Sequence, residues 1–175
     1  MDNVMMDIET LDTGPRAAVI SVGLAWFDAY KVGHSRSMKV PLEPQLKMGR
    51  TVSADTLRWW MRQSDAARTE FEMSGDLDDE ANLVTTMKAL RHWISDSKVW
   101  GCGSDFDNVI ISSLMEDVGV DPWPFWKNRC YRTLKSIHAD VLEPTREGTH
   151  HTAEDDAKHQ ATYAQKIVAA KGIIL

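Results

Sequence analysis

The chain has 175 residues, 43% of them apolar and 26% charged, with a formal net charge of −6. That length suits one domain able to bury about two thirds of the surface its unfolded form exposes, and no window approaches the roughly 18 apolar residues of a membrane span. The acidic balance excludes the broad basic footprint that grips long duplexes, but leaves room for a short footprint on nucleic acid with bound cations neutralising part of the acidity.

Residues 3–9, NVMMDIE, read as a first strand. Asp7 and Glu9 lie two residues apart, so in a strand they share one face, where like charges raise each other's pKa. Either a divalent cation offsets that repulsion, or the two acids are solvated at an exposed strand end. TLDTGPRAA follows as a polar turn punctuated by Gly14 and Pro15. AVISVGLAWFD (18–28) and SRSMKVPL (35–42) are β-rich and separated by a short loop containing Gly33, which predicts a three-stranded antiparallel meander. SADTLRWWMRQS changes the period and predicts a short helix with Ser53 as its N-cap. A longer helix is predicted over 76–96, with Leu83, Met87, Leu90 and Ile94 at helical spacing. Acids gather at its start, where the helix dipole favours them.

KVWGCG (98–103) predicts a short strand ending in glycines, followed by the helical run FDNVIISSLMEDVG. Asp107 reads either as a helix cap or as an acid presented at the strand's end, where site residues commonly gather; Asp105 is the better placed of the two to cap. DPWPFWKNR is a Pro-broken connector, CYRTLKSIHADV a short strand or turn and helix, and LEPTREGTHH a polar loop. The last helix, TAEDDAKHQATYAQKIVAAK, starts near Ala153, and Thr152 with Asp155 resembles a capping box. His151 falls on the loop just ahead of it and Asp156 in its first turn. Ala153, Ala157, Ala161 and Ala164 form a small-residue face that allows close approach to a sheet and carries Asp156 towards the sheet edge. The order βββα, αβα, α predicts an α/β layer architecture in one domain over 1–175, with no repeat or linker. Cys102 and Cys130 form no CxxC pair and read as buried thiols of a reducing compartment. Without a signal-peptide pattern, the expected location is cytoplasmic.

Three of these segments together carry a family resemblance. DIET on the first strand, FDN after a glycine-ended strand and H-x-A-x-x-D-A in the last helix resemble, in order and spacing, the motifs of the DEDDh class of 3′→5′ exonucleases in the RNase H-like superfamily. The likeness covers nearly the whole chain. MDIETLDTGPRAAVISVGLAWFD, TLRWWMRQS, VWGCGSDFDNVIISS and HHTAEDDAKHQA look like the bacterial and phage group that includes exonuclease A of T-even phages and the mycobacterial exoribonuclease-like proteins. The resemblance implies an RNase H-like fold, a central mixed sheet with its first three strands antiparallel, flanked by helices.

It also implies that Asp7, Glu9, Asp107 and Asp156 hold two Mg²⁺ or Mn²⁺ ions and that His151 is the general base. His150 with Asp155 has the same spacing, but only His151 with Asp156 puts alanines at both Ala153 and Ala157, as the family pattern does. Carboxylates with one nearby His and no thiolate select hard cations over Zn²⁺. The implied substrate is a single-stranded or 3′-overhanging DNA or RNA, shortened by release of nucleoside 5′-monophosphates, with Thr10 and Leu11 contacting the terminal sugar and base; a homodimer follows by family analogy. The TLKSIHAD region and the Trp59, Trp60 pair depart from the commoner members. Successive helical positions differ by about 100°, which allows one of the two rings to face the core and the other a cleft, where it would stack on a terminal base. Two rival readings are an exoribonuclease restricted to RNA overhangs or short oligoribonucleotides and a non-catalytic nucleic-acid-binding module. The second has no need of five groups that repel one another without metal.

Overall fold

In the computed structural model, which describes residues 2–72 and 77–174, strand β1 (Asn3–Thr10) is paired on both edges. β2 (Val19–Phe27) runs antiparallel to β1, and β3 (Val32–Lys39) antiparallel to β2. On the other side β4 (Lys98–Gly101) and β5 (Asn128–Cys130) add in parallel. Among the described residues the sheet order is β3-β2-β1-β4-β5, a mixed sheet whose first three strands form the expected meander. β3 begins at Val32, so Gly33 is a strand residue and not part of the predicted loop. The Asp28 carboxylate accepts from the N–H groups of Tyr30 and Lys31, at 2.8 and 2.9 Å, and closes the turn early enough for Phe27 to pair with Val32.

The helices are α1 (Glu43–Lys47), α2 (Ala54–Trp60), α3 (Asp65–Arg68), α4 (Glu80–Ile94), α5 (Asp107–Asp117), α6 (Tyr131–Ile137) and α7 (Ala153–Lys171). Ser53 caps α2 as expected, its hydroxyl accepting from the N–H groups of Asp55 and Thr56. α4 starts at Glu80 because Asp79 accepts from the Asn82 N–H at 2.7 Å; Asp76, where the sequence starts this helix, lies outside the described residues. α1 and α3 went unread because elements this short span too few turns for apolar periodicity to register.

Strand alternation then sorts the core. Val4, Met6 and Ile8 of β1 pack with Leu83, Met87, Leu90 and Ile94 of α4 and with Ile110, Ile111 and Leu114 of α5. Met5, on the opposite face, packs with Ala157, Ala161, Ala164 and Ile167 of α7 and with Tyr131 and Leu134 of α6. Asp7 and Glu9 follow Met5 at the two-residue period, so they point to the α7 side. Two glycines let the helices come close. A Cβ on Gly23, opposite Asp7 on β2, would sit 1.9 Å from the Ala153 carbonyl oxygen at the start of α7. One on Gly101, the last residue of β4, would sit 2.3 Å from Asn108 Oδ1 at the start of α5. Among the described residues no helix is long and apolar enough to cross a membrane.

Candidate active site

β4 ends opposite Met6, so β1 runs on past its parallel neighbour. The Ile8 N–H, facing the vacated side, donates to Asp107 Oδ1 at 3.3 Å. That bond ties the first residue of α5 to the strand carrying the other two acids. Asp107 Oδ2 is buried and has no hydrogen-bond partner among the described residues. Asp105 does not hold the cap position of α5 as expected: Phe106 holds it, with no side-chain cap bond. Asp107 sits at the first helical position with its carboxylate turned towards β1.

From the other side α7 brings two groups one turn apart. Gln160 Nε2 donates to Asp7 Oδ1 at 2.6 Å. Asp156 is buried, and its ligand oxygen, one from Glu9 and a ring nitrogen of His151 all lie within 4.8 Å of one another. Asp156 Oδ2 accepts the His151 N–H at 2.9 Å, which fixes the loop to the helix. His151 has a left-handed backbone with φ 63°, which an Asn, Asp or His tolerates better than most residues. The structure therefore puts His151 and Asp156 in the acid cluster, while His150 is exposed and Asp155 is spent on the loop. The predicted capping box does not form. Asp155 Oδ2 takes the Thr149 N–H at 2.8 Å, and the Thr152 hydroxyl, which can donate as readily as accept, donates to that same oxygen at 3.2 Å and makes no cap bond to the helix.

The WW pair splits as its helical geometry allows. Trp60 is 2% exposed and donates from Nε1 to the Thr10 carbonyl at 2.9 Å, fastening α2 to the end of β1. Trp59 is 39% exposed and meets the His151 ring edge-on at 4.8 Å between centroids. Thr10 is buried, its hydroxyl donating to the Asp12 carbonyl at 2.7 Å. Leu11 is buried in a small apolar cluster with Ala18, Ile20, Trp60 and Ala67.

Burial and mutual repulsion dominate the electrostatics. Burial, then the charges of Asp107, Glu9 and Asp156, holds the Asp7 carboxyl well above its usual range, against the Gln160 bond. Burial, then Asp156, Glu70 and Asp107, pushes Glu9 up to about 8. Burial pushes Asp107 up to about 7, with the Ile8 N–H among the groups opposing it. Cys102 and Cys130 are free and half-buried, less enclosed than expected because each sits at a strand end beside the site loops. Burial and the charges of Asp107 and Asp7 push the Cys102 thiol up, so it stays protonated and offers no thiolate. The candidate donors at the site are four carboxylates and one imidazole, with a buried oxygen on Asp107 that has no hydrogen-bond partner among the described residues. That set fits hard divalent cations.

Three residues at the site were missed by sequence reasoning. Gln160 bonds Asp7, Arg146 is ion-paired with Asp156, and Glu70, buried on the turn Thr69–Phe71, pairs with Lys39 at 3.1 Å and contributes to the rise at Glu9. Each is an ordinary polar residue outside any motif spacing. Only Gln160 had a signal that could have found it, being one helical turn beyond Asp156 on the same face.

Comparison with known proteins places the chain in a family and a fold. The sequence model of one family, the 3'-5' exoribonuclease Rv2179c-like domain, matches residues 2–168. An exodeoxyribonuclease of Enterobacteria phage T4 is 26% identical over 162 residues, covering 76% of this chain and 70% of the phage protein. Among solved structures, exonuclease X in complex with 5' overhanging duplex DNA superposes with a TM-score of 0.57 at 13% identity, covering 98% of this chain and 93% of that one. The expected RNase H-like fold is therefore the fold observed.

Proposed function

This chain belongs to the 3'-5' exoribonuclease Rv2179c-like domain family, a family of 3′→5′ exonucleases, and we propose that it hydrolyses the terminal phosphodiester of single-stranded or 3′-overhanging nucleic acid to release nucleoside 5′-monophosphates. The observation that carries this reading is the convergence of Asp7, Glu9, Asp107 and Asp156 from three separate elements, with His151 beside them. In this reading the four carboxylates hold two Mg²⁺ or Mn²⁺ ions. Bound there, the ions supply Lewis-acid stabilisation of charge on the phosphoryl and departing oxygens and lower the pKa of the attacking water.

The chain's own residues do the rest. The His151 ring takes the proton of the attacking water, a task matched to an imidazole that titrates near neutrality. The edge-to-face contact with Trp59 and the bond from the His151 N–H to Asp156 hold that ring in place. Gln160 orients the Asp7 carboxylate, leaving its second oxygen for an ion. Trp59, the exposed member of its pair, offers its remaining surface for stacking on the terminal base, which is worth about 1–3 kcal/mol. Thr10, the last residue of β1, and Leu11 just after it follow directly on Glu9 and are the proposed contact for the terminal sugar and base.

The family description favours RNA as substrate; the phage relative named as an exodeoxyribonuclease supports DNA as the second reading. Degradation of 3′- and 5′-labelled single-stranded and overhanging RNA and DNA, with Mg²⁺ or Mn²⁺ against EDTA, decides polarity, sugar and metal together. The expected outcome is stepwise shortening from the 3′ end only with a divalent ion. Equal activity in EDTA, or shortening from the 5′ end, overturns the reading.

A further inference from the structure

Both oxygens of Asp156 are engaged in this structure. Oδ2 accepts the His151 N–H at 2.9 Å, and Oδ1 is ion-paired with Arg146 Nη2. The other terminal nitrogen of Arg146, Nη1, is buried and has no hydrogen-bond partner among the described residues. A guanidinium presents its donors in a planar fork suited to carboxylate or phosphate, and a buried donor left unused is costly. Here the unused half of the fork lies beside the acid cluster.

We propose that Arg146 is a ligand for the substrate's phosphate, and that its guanidinium, ion-paired with Asp156, gives that carboxylate up when an ion binds there. The inference rests on the reading of the carboxylates as a divalent-ion site. Without ions the buried acids repel one another, and Arg146 supplies a counter-cation at one of the proposed ion ligands. An ion held by Asp156 sets two positive charges against the guanidinium, a repulsion that falls only inversely with distance. The guanidinium then leaves Asp156, and the anion that arrives with the substrate is a phosphodiester, which the fork can bond in bidentate fashion. Arg146 lies on the irregular loop ahead of α7, so its side chain can turn without unwinding a helix or strand.

The test uses the full chain with Arg146→Gln and Arg146→Lys. Mn²⁺ is titrated by calorimetry without nucleic acid, and a fluorescent single-stranded oligonucleotide is then bound with Ca²⁺ saturating in place of Mg²⁺. Loss of the charge-assisted pair should make Arg146→Gln bind Mn²⁺ about tenfold more tightly and the oligonucleotide about tenfold more weakly. The dependence of log affinity on log salt should become shallower by about 0.7, one phosphate contact on a single strand. Arg146→Lys, which keeps the charge without the fork, should keep the salt slope and lose part of the oligonucleotide affinity; it decides the matter if far-UV circular dichroism shows that Arg146→Gln has not folded. Unchanged or weaker Mn²⁺ binding in a folded Arg146→Gln, or unchanged oligonucleotide affinity in either variant, overturns the proposal. A parent protein that binds Mn²⁺ while the variants behave identically sinks this inference alone. A parent that binds no Mn²⁺ sinks the ion-site reading with it.

Discussion

Asp7 accepts a hydrogen bond from Gln160 and faces the charges of Asp107, Glu9 and Asp156, so its ionised form costs the fold energy, a cost that the proposed cation would offset. Two opposite effects of Asp7→Asn follow. Turnover with Mg²⁺ should be lost, while the metal-free variant should melt at a higher temperature than the parent near neutral pH. Retained turnover would remove Asp7 from the ion site, and a lower melting temperature would contradict the repulsion argument. His151→Ala should lower kcat by about 10²–10⁴-fold, the loss expected of a general base, whereas the exposed His150 should tolerate the same change. Steady-state kinetics on both variants check the register; a damaging His150→Ala would reverse it. At this scale the motif acids were legible because D-x-E, FDN and H-x-A-x-x-D-A are local patterns. Arg146 and Glu70 were not, because arginine and glutamate at those positions resemble any solvated side chain, and Gln160 carried only its one-turn spacing from Asp156.

Helix α7 reaches the acids only because β2 has a glycine under its first turn. Gly23→Ala would put a Cβ 1.9 Å from the Ala153 carbonyl oxygen, so the helix must shift. Overpacking of this kind costs about 1–3 kcal/mol. It should lower the melting temperature and, by drawing Asp156 and Gln160 away from Asp7 and Glu9, lower kcat as well. A destabilised variant with parental kcat would mean that α7 resettles without moving its carboxylate. The small-residue face of α7 was readable as a helical pattern, and so were the buried positions of α4. The early start of β3 and the failed capping box were not. The first depends on how the Asp28 carboxylate closes a turn, the second on Thr149 competing for Asp155.

For the whole molecule, the acid cluster couples stability to pH and, on the proposed function, to metal. The unfolded chain releases the Glu9 proton near 4.5, while the fold holds it up to about 8. Between those values the native state binds more protons than the unfolded one, so metal-free stability should fall as pH rises through that window. Asp107, with its carboxyl raised to about 7, acts in the same direction. Divalent ions favour the ionised carboxylates and should flatten or reverse the trend. At an ion concentration about 100-fold above Kd the native state gains about 2.7 kcal/mol, or about 5–10 °C in a chain of this size. Melting curves across that window, with EDTA and with Mn²⁺, check both statements; a metal-free protein that grows more stable with rising pH would contradict them. The sequence by itself determined the kind of chemistry, the order of the strands and helices, and which acids and histidine are candidates for it, because strand and helix periods and short motifs are properties of neighbouring residues. Tertiary structure alone decided which groups surround those acids. Gln160 and Asp7 are 153 residues apart in the chain, and they meet because Gly23 lets α7 lie against the sheet. Such a contact depends on packing distance, which no local pattern encodes.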